Sequence, residues 1–209
     1  MSLRCRNKES KKEKREMTLY TTRKTEGFQV KDVSLMEIGD VFEFTLKDGE
    51  TVRAMAVKKD DEATDFITVD CLKDKDMAMN LEPTSEGGYD ESHLRESLNQ
   101  EILALFPDDI REAMVPVYKD DLLALPSEME IFGGRIFSIE DSKDERLEPM
   151  KERRNGIALD GMDGYPNWYW LRDATSACDF AYVDSYGGAG NYTATDSLGI
   201  RPRFRIANR

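Results

Sequence analysis

The stretch NWYWLRDATSACDFAYVDSYGGAGNYTATDSLGIRPRFRIA, residues 167–207, decides how this chain is read. It holds three short runs of strand composition, WYWLRD, DFAYVDS and IRPRFRIA, with NYTATDS as a fourth. In WYWLRD, Trp168 and Trp170 alternate with Tyr169 and Leu171, so both faces are apolar, the pattern of a strand buried on two sides. Trp170 and Leu171 are therefore expected in the core, and Trp168, beside the Tyr165-Pro166-Asn167 turn, is the candidate for exposure. Arg172 and Arg201 fall inside the closing strands. A buried guanidinium needs a carboxylate or several carbonyls around it, so structural ion pairs are expected at both, with Asp184, Glu130 and Asp173 as available partners. DSYGGAGNY joins Tyr186, Asn191 and Tyr192 to three glycines. Binding loops favour that composition, and so does any turn between strands.

Working outward, DVFEFTLKDGETVRAMAV (residues 40–57) reads as a hairpin. Phe42, Phe44 and Leu46 alternate with Glu43 and Thr45, and Asp48-Gly49 supplies the turn. FITVDCL (residues 66–72) is a third strand across the acidic loop KKDDEATD. YDESHLRESLNQEILALF is the clearest helix. Asp90 is its expected cap, Tyr89 and Leu94 staple across it, and Leu94, Leu98, Ile102 and Leu105 form one apolar stripe ended by Pro107. PDDIREAM restarts a short helix; VPVYK reads as extended, and ALPSEMEIFGG as a turn into a loop. SIEDSKDERLEPMKERR (residues 138–154) reads as an exposed charged excursion with one helical turn, and GIALDGMDGYPN as turns.

Charge divides the chain. Residues 1–24 hold nine Lys/Arg against three Glu, and the remainder 21 basic against 39 acidic residues, within a formal net charge of −12. The basic segment reads as a flexible, solvated head, with Met1–Leu3 an expression remnant. The acidic body, residues 25–209, repels nucleic acid and anionic membranes and reads as one α+β domain with its hairpin region at about residues 33–80. No apolar run is long enough to span a bilayer, and no signal-peptide segment stands at the N-terminus, so a cytoplasmic location as synthesised is expected. Cys5, Cys71 and Cys178 read as reduced cysteines, with no disulfide framework, zinc site or other metal or cofactor implied.

The chain also resembles a known family. Tyr89, Ser92, Leu94, Arg95, Leu98 and Asn99 match its Y-x-x-S-x-L-R-x-x-L-N helix. Leu125, Pro126, Ser127 and Glu130 match L-P-S-x-x-E; Trp170, Leu171 and Arg172 match W-L-R. Gly199, Ile200, Arg201, Pro202 and Phe204 match the closing G-V-R-P-A-F, and Ile38, Gly39 and Asp40 an early strand entry. These residues, from about 33 to 206, resemble the DUF6273 family of unknown function, found in prophages and gut Firmicutes. Asp173 stands where that family has serine, and its early tryptophan is replaced within TVRAMAV. The closing motifs are also similar to C-type-lectin-like domains. The resemblance implies one C-type-lectin-like domain, a twisted, mostly antiparallel sheet with one or two packed helices, of prophage origin.

Catalytic signatures are absent from the sequence: His93 is the one histidine, and neither GxSxG nor a phosphate loop occurs. DGMDG lacks the ligand spacing of a calcium loop. No catalytic residue is assigned. The expected function is a non-enzymatic binding module that recognises a protein or glycan through Tyr165, Trp168, Tyr186, Asn191 and Tyr192. The alternatives are a self-associating homo-oligomeric component of a phage particle, and a divergent enzyme with a carboxylate of raised pKa in a cleft.

Overall fold

The computed structural model describes residues 30–208; the expected basic head and Cys5 lie outside these residues. Strands β1 (Val41–Thr45) and β2 (Thr51–Lys59) form the expected hairpin, with Val41 opposite Met55 and Thr45 opposite Thr51. Its turn uses Gly49 at φ +95°, a conformation that a side chain would resist. Strand β3 (Ala63–Thr68) begins three residues before FITVDCL. Asp60 is the reason: its Oδ1 accepts from the N–H groups of Glu62 and Ala63, and this side-chain turn replaces most of the expected acidic loop. A two-residue strand, β4 (Met77–Ala78), follows.

The helical segment opens with a 3-10 turn at Tyr89–Glu91, then α1 (His93–Ser97), a π-helical turn at Leu98–Ile102 and α2 (Leu103–Leu105). Its cap is Ser92, whose Oγ accepts from the Arg95 N–H at 3.2 Å. Asp90 is drawn off to an ion pair with Lys119 and a hydrogen bond from the Tyr118 hydroxyl. Leu94, Leu98 and Ile102 are buried as their spacing requires. Helix α3 (Asp108–Ala113) follows Pro107, and strands β5 (Met114–Val115) and β6 (Leu123–Ala124) come next.

The segment expected to turn into a loop instead forms helix α4 (Glu128–Phe132). Ser127 Oγ accepts from the Glu130 N–H and Glu130 Oε2 accepts from the Ser127 N–H, a reciprocal capping box, and Gly133 ends the helix at φ +76°. The charged excursion is less exposed than its composition suggests. Short 3-10 turns at Glu148–Lys151 and Arg153–Gly156 carry Met150 into the core beside Leu147.

β7 (Ala158–Leu159) and β8 (Pro166–Asn167) lead into the closing stretch, which contributes β9 (Tyr169–Ala174), β10 (Asp179–Val183), β11 (Ala189–Thr193), β12 (Ser197–Leu198) and β13 (Arg203–Ala207). Among the described residues, every pairing between two of these strands is antiparallel; single parallel bridges join Cys71 to Asp160 and Tyr169 to Gly199. A six-stranded sheet runs β1-β2-β3-β13-β5, with β6 also on β13; a three-stranded sheet runs β11-β10-β9; β12 pairs β4 and β7 pairs β8. Largely antiparallel sheets with one main helical segment make this an α+β fold.

Two apolar clusters follow from the period-2 alternation of the strands. Phe42, Phe44, Phe66 and Phe204 meet the helical stripe and Phe106, with Phe42 edge-on to Phe66 at 5.0 Å and Phe66 stacked on Phe204 at 5.5 Å. The opposite residues of the same strands, Val41, Met55, Val57 and Ile67, pack with Ile131, Tyr169, Leu171, Ala181 and Val183. The β9-β10 pair therefore reaches into both clusters, since Trp170 and Phe180 point into the first. No helix among the described residues is long and apolar enough to cross a membrane.

Candidate functional site

Register on the three-stranded sheet builds an aromatic surface. Tyr182 pairs with Trp170 on one side and with Gly190 on the other, and Phe180 pairs with Tyr192. Alternation puts Tyr182, Gly190 and Tyr192 on one face, where the ring of Trp168 also lies. Trp168 and Tyr182 stack at 5.0 Å with planes 17° apart, and Tyr192 stands edge-on to both, at 6.2 and 6.1 Å. The Tyr182 ring lies close against Gly190, where an added Cβ would fall 2.5 Å from the phenol carbon. Tyr182 thus touches both the glycine backbone and the Trp168 ring. Trp168 remains 37% exposed and Tyr192 43%. Burying those rings on folding would have been favourable, so their exposure leaves a preformed apolar contact surface.

The other expected ligand residues do not join this face. Asn191 pairs with Ala181 and, one residue from Tyr192, points to the opposite side of the sheet. Tyr186 is 77% exposed on the turn after β10, where Asp184 Oδ1 accepts from the Tyr186 and Gly188 N–H groups and the Tyr186 carbonyl accepts from Arg153. Tyr165, 88% exposed, stands at an adjoining cleft of about 700 Å³ shaped by Glu50, Lys73, Asp76, Asp160, Asp163 and Asn167. Asn167 donates to Asp76 Oδ1 at 3.1 Å and accepts from the Trp168 N–H at 2.8 Å, which couples the cleft wall to the aromatic surface. Burial raises the Asp76 carboxyl above its ordinary range; the Asn167 amide opposes this, and Asp160 and Asp74 reinforce it.

Arg172 forms the expected ion pair with Glu130, at 3.0 Å, and a second with Asp144, at 2.5 Å, and it lies over the Tyr118 ring. Asp144 was not anticipated, because nothing in the charged excursion marked one acid as turned inward. Glu130 is shared: its other oxygen meets Arg203, which pairs with Asp65, which pairs with Arg205, which reaches Asp60. Arg201 departs from expectation. Its guanidinium donates to the Thr68 and Asn155 carbonyls and to the Tyr169 hydroxyl, rather than to a carboxylate. It is 1% exposed and faces the Tyr169 ring at 5.3 Å, so carbonyl dipoles and a π face compensate the charge. Asp184 is occupied by its own turn.

A second cleft, of about 590 Å³, lies where the residues from Ser138 to Asp144 pass Tyr118, Arg172 and Asp173. Burial pushes the Asp173 carboxyl up to about 6, against the pull of the Glu128 N–H and Arg172. Asp144, beside it, is held below the usual carboxylate range by Arg172, Ser142 and Ser127, which outweigh its burial. Glu128 is 1% exposed, and its carboxylate accepts from the consecutive N–H groups of Ile136, Phe137 and Ser138. It fixes the approach to this cleft.

Sequence reasoning missed Tyr182, whose signal was the alternation Phe180-x-Tyr182 opposite a glycine. It also missed Glu128, for which no local signal exists. A family model described as "Domain of unknown function (DUF6273)" matches residues 62–208, from the start of β3 through β13. Neither the curated proteins nor the solved structures contain a match to the chain. With the match spanning well over half of its length, the chain belongs to the DUF6273 family.

Proposed function

We propose that this protein is a non-enzymatic binding module of prophage origin, with its closing strands in a C-type-lectin-like arrangement, that recognises a protein or glycan through the aromatic cluster at the exposed margin of β9-β10-β11. One observation carries this reading: Trp168, Tyr182 and Tyr192 are in mutual contact, and Trp168 and Tyr192 remain exposed while Tyr182, half-buried, rests against Gly190. Rigid aromatic rings give contact area at low ordering cost, so a preformed cluster binds with little entropy lost. The test is affinity capture from host envelope and lysate fractions, with the parent chain and a Trp168→Ala/Tyr192→Ala variant that keeps its circular dichroism spectrum. Partners held by the parent and lost by the variant support the reading. Identical capture by both baits refutes it.

A second reading, carboxylate chemistry in the cleft beside Arg172, has one observation in its favour. Asp173 and Asp144 stand in the same cleft with carboxyls displaced in opposite directions, the division of labour that acid–base pairs require. A hydrolase substrate panel on the parent and on Asp173→Asn tests it. Turnover abolished by that substitution would favour it, and no turnover in the parent would end it.

A further inference from the structure

The aromatic face and the Tyr165 cleft are joined at Asn167, and their electrical characters differ sharply. Trp168 and Tyr192 offer π faces and edges; the cleft next to them offers Glu50, Asp76, Asp160 and Asp163 against one lysine, Lys73. Glu50 is taken by Lys75. Among the described residues, Asp76, Asp160 and Asp163 form no ion pair. Two further turns of the surface add to this field: Asp184 lies near enough to Tyr182 to raise its phenol, after burial, and Asp74 donates its N–H to Asp160. Behind these stands a body of 39 acidic and 21 basic residues.

We propose that the ligand of this face is a basic polypeptide segment, with one arginine or lysine side chain stacking on Trp168 and a neighbouring one entering the cleft against Asp76 and Asp160. This rests on the binding-module reading above and specifies its partner. Three physical points favour it over other occupants. A cation over an indole gains from the ring quadrupole, and Trp is the strongest such ring. A neutral oligosaccharide would cover the cleft carboxylates without supplying a counter-charge, and covering an unpaired charge is costly. An anionic polymer would meet repulsion over the whole acidic body, whereas a cationic segment is steered toward it.

The experiment measures binding to the full chain by fluorescence anisotropy at two salt concentrations. The probes are a labelled octapeptide of alternating arginine and glycine, the same peptide with glutamine for arginine, and a labelled hexamer of N-acetylglucosamine. The variants are Trp168→Ala and Asp76→Asn/Asp160→Asn. The asparagines keep the acceptor oxygens used by Asn167 and by the Asp74 N–H, and circular dichroism checks each fold. The arginine peptide is expected to bind, to weaken with salt, and to lose about tenfold in affinity with Trp168→Ala and about tenfold with the double asparagine variant. The glutamine peptide should not bind. An arginine peptide that fails to bind, or that binds both variants as it binds the parent, overturns the inference; in the second case the attraction is diffuse. If the oligosaccharide binds and Trp168→Ala removes it, the basic partner is wrong while the aromatic face stands as a recognition site. If Trp168→Ala changes no probe's binding and no captured partner, both readings fall.

Discussion

Glu130→Gln is the most direct test of how the interior is organised. The Glu130 side chain is 6% exposed and lies between Arg172 and Arg203, themselves 9% and 5% exposed. Removing one partner of a buried ion pair costs about 3–5 kcal/mol, because the remaining charge stays buried without compensation. Here each guanidinium retains one carboxylate, Asp144 for Arg172 and Asp65 for Arg203, so about 3 kcal/mol is expected. Glutamine can still serve the capping box, and Glu130→Ala cannot; the alanine variant should lose about 1 kcal/mol more. In urea, with an m-value near 2 kcal/mol/M for a chain of this size, Glu130→Gln lowers the midpoint by about 1.5 M. Arg203→Met added to Glu130→Gln should cost less than the sum of the single changes, since the two residues contact each other and the guanidinium left short of one carboxylate is then gone. A midpoint shift below about 0.5 M for Glu130→Gln would show that solvent already screens this carboxylate, and the account of a sealed charge chain would fail.

Three further outcomes are expected. The folded Asp173 carboxyl titrates near 6 and the unfolded one near 3.8, so between those values the folded chain holds a proton that the unfolded chain lacks. Stability from this group therefore rises by about 2–3 kcal/mol as pH falls from about 7 to about 4, and Asp173→Asn should flatten that portion of a pH series of urea midpoints relative to the parent. A difference curve without slope there would contradict the burial of Asp173. Glu128→Gln, which cannot accept from three N–H groups with one carbonyl oxygen as a carboxylate does, should destabilise by about 1.5–3 kcal/mol and speed amide exchange at Ile136, Phe137 and Ser138, read by hydrogen exchange. Gly190→Ala drives a methyl into the Tyr182 ring and should cost about 1–3 kcal/mol by thermal melting while shifting tryptophan emission as the Trp168 stack opens; unchanged fluorescence would count against these contacts.

Elements governed by short-range chemistry were readable from the residues. Asp48-Gly49 announced the hairpin, the four-residue recurrence of Leu94, Leu98 and Ile102 announced the helix, and the aromatic alternation at Trp168–Leu171 announced a strand buried on both faces. The α4 capping box was written plainly as Ser127-x-x-Glu130 with a following Gly133, yet Pro126 and the glycine pair made the segment look like a loop. What could not be read depends on long-range pairing. Asn191 and Tyr192 share a composition typical of binding loops, and only the register against Phe180 and Ala181 separates them onto two faces. Asp144 was one acid among many until the fold laid it against Arg172, and Arg201 was one arginine among many until it met the carbonyls of Thr68 and Asn155.

The position of β13 has a consequence for how the protein is made. Residues 203–207 lie between β3 on one side and β5 with β6 on the other, and Arg203 meets Asp65 from 138 positions away. On the ribosome, everything up to Pro202 is synthesised while the centre of the sheet is still missing. Until β13 arrives, β3 and β5 present bare hydrogen-bonding edges, and Asp65 waits without its two arginines. Closing a loop of that length is slow compared with forming the hairpin or the helix. Until residues 203–207 have been made, the nascent chain therefore exposes sheet edges and a carboxylate that the folded protein covers.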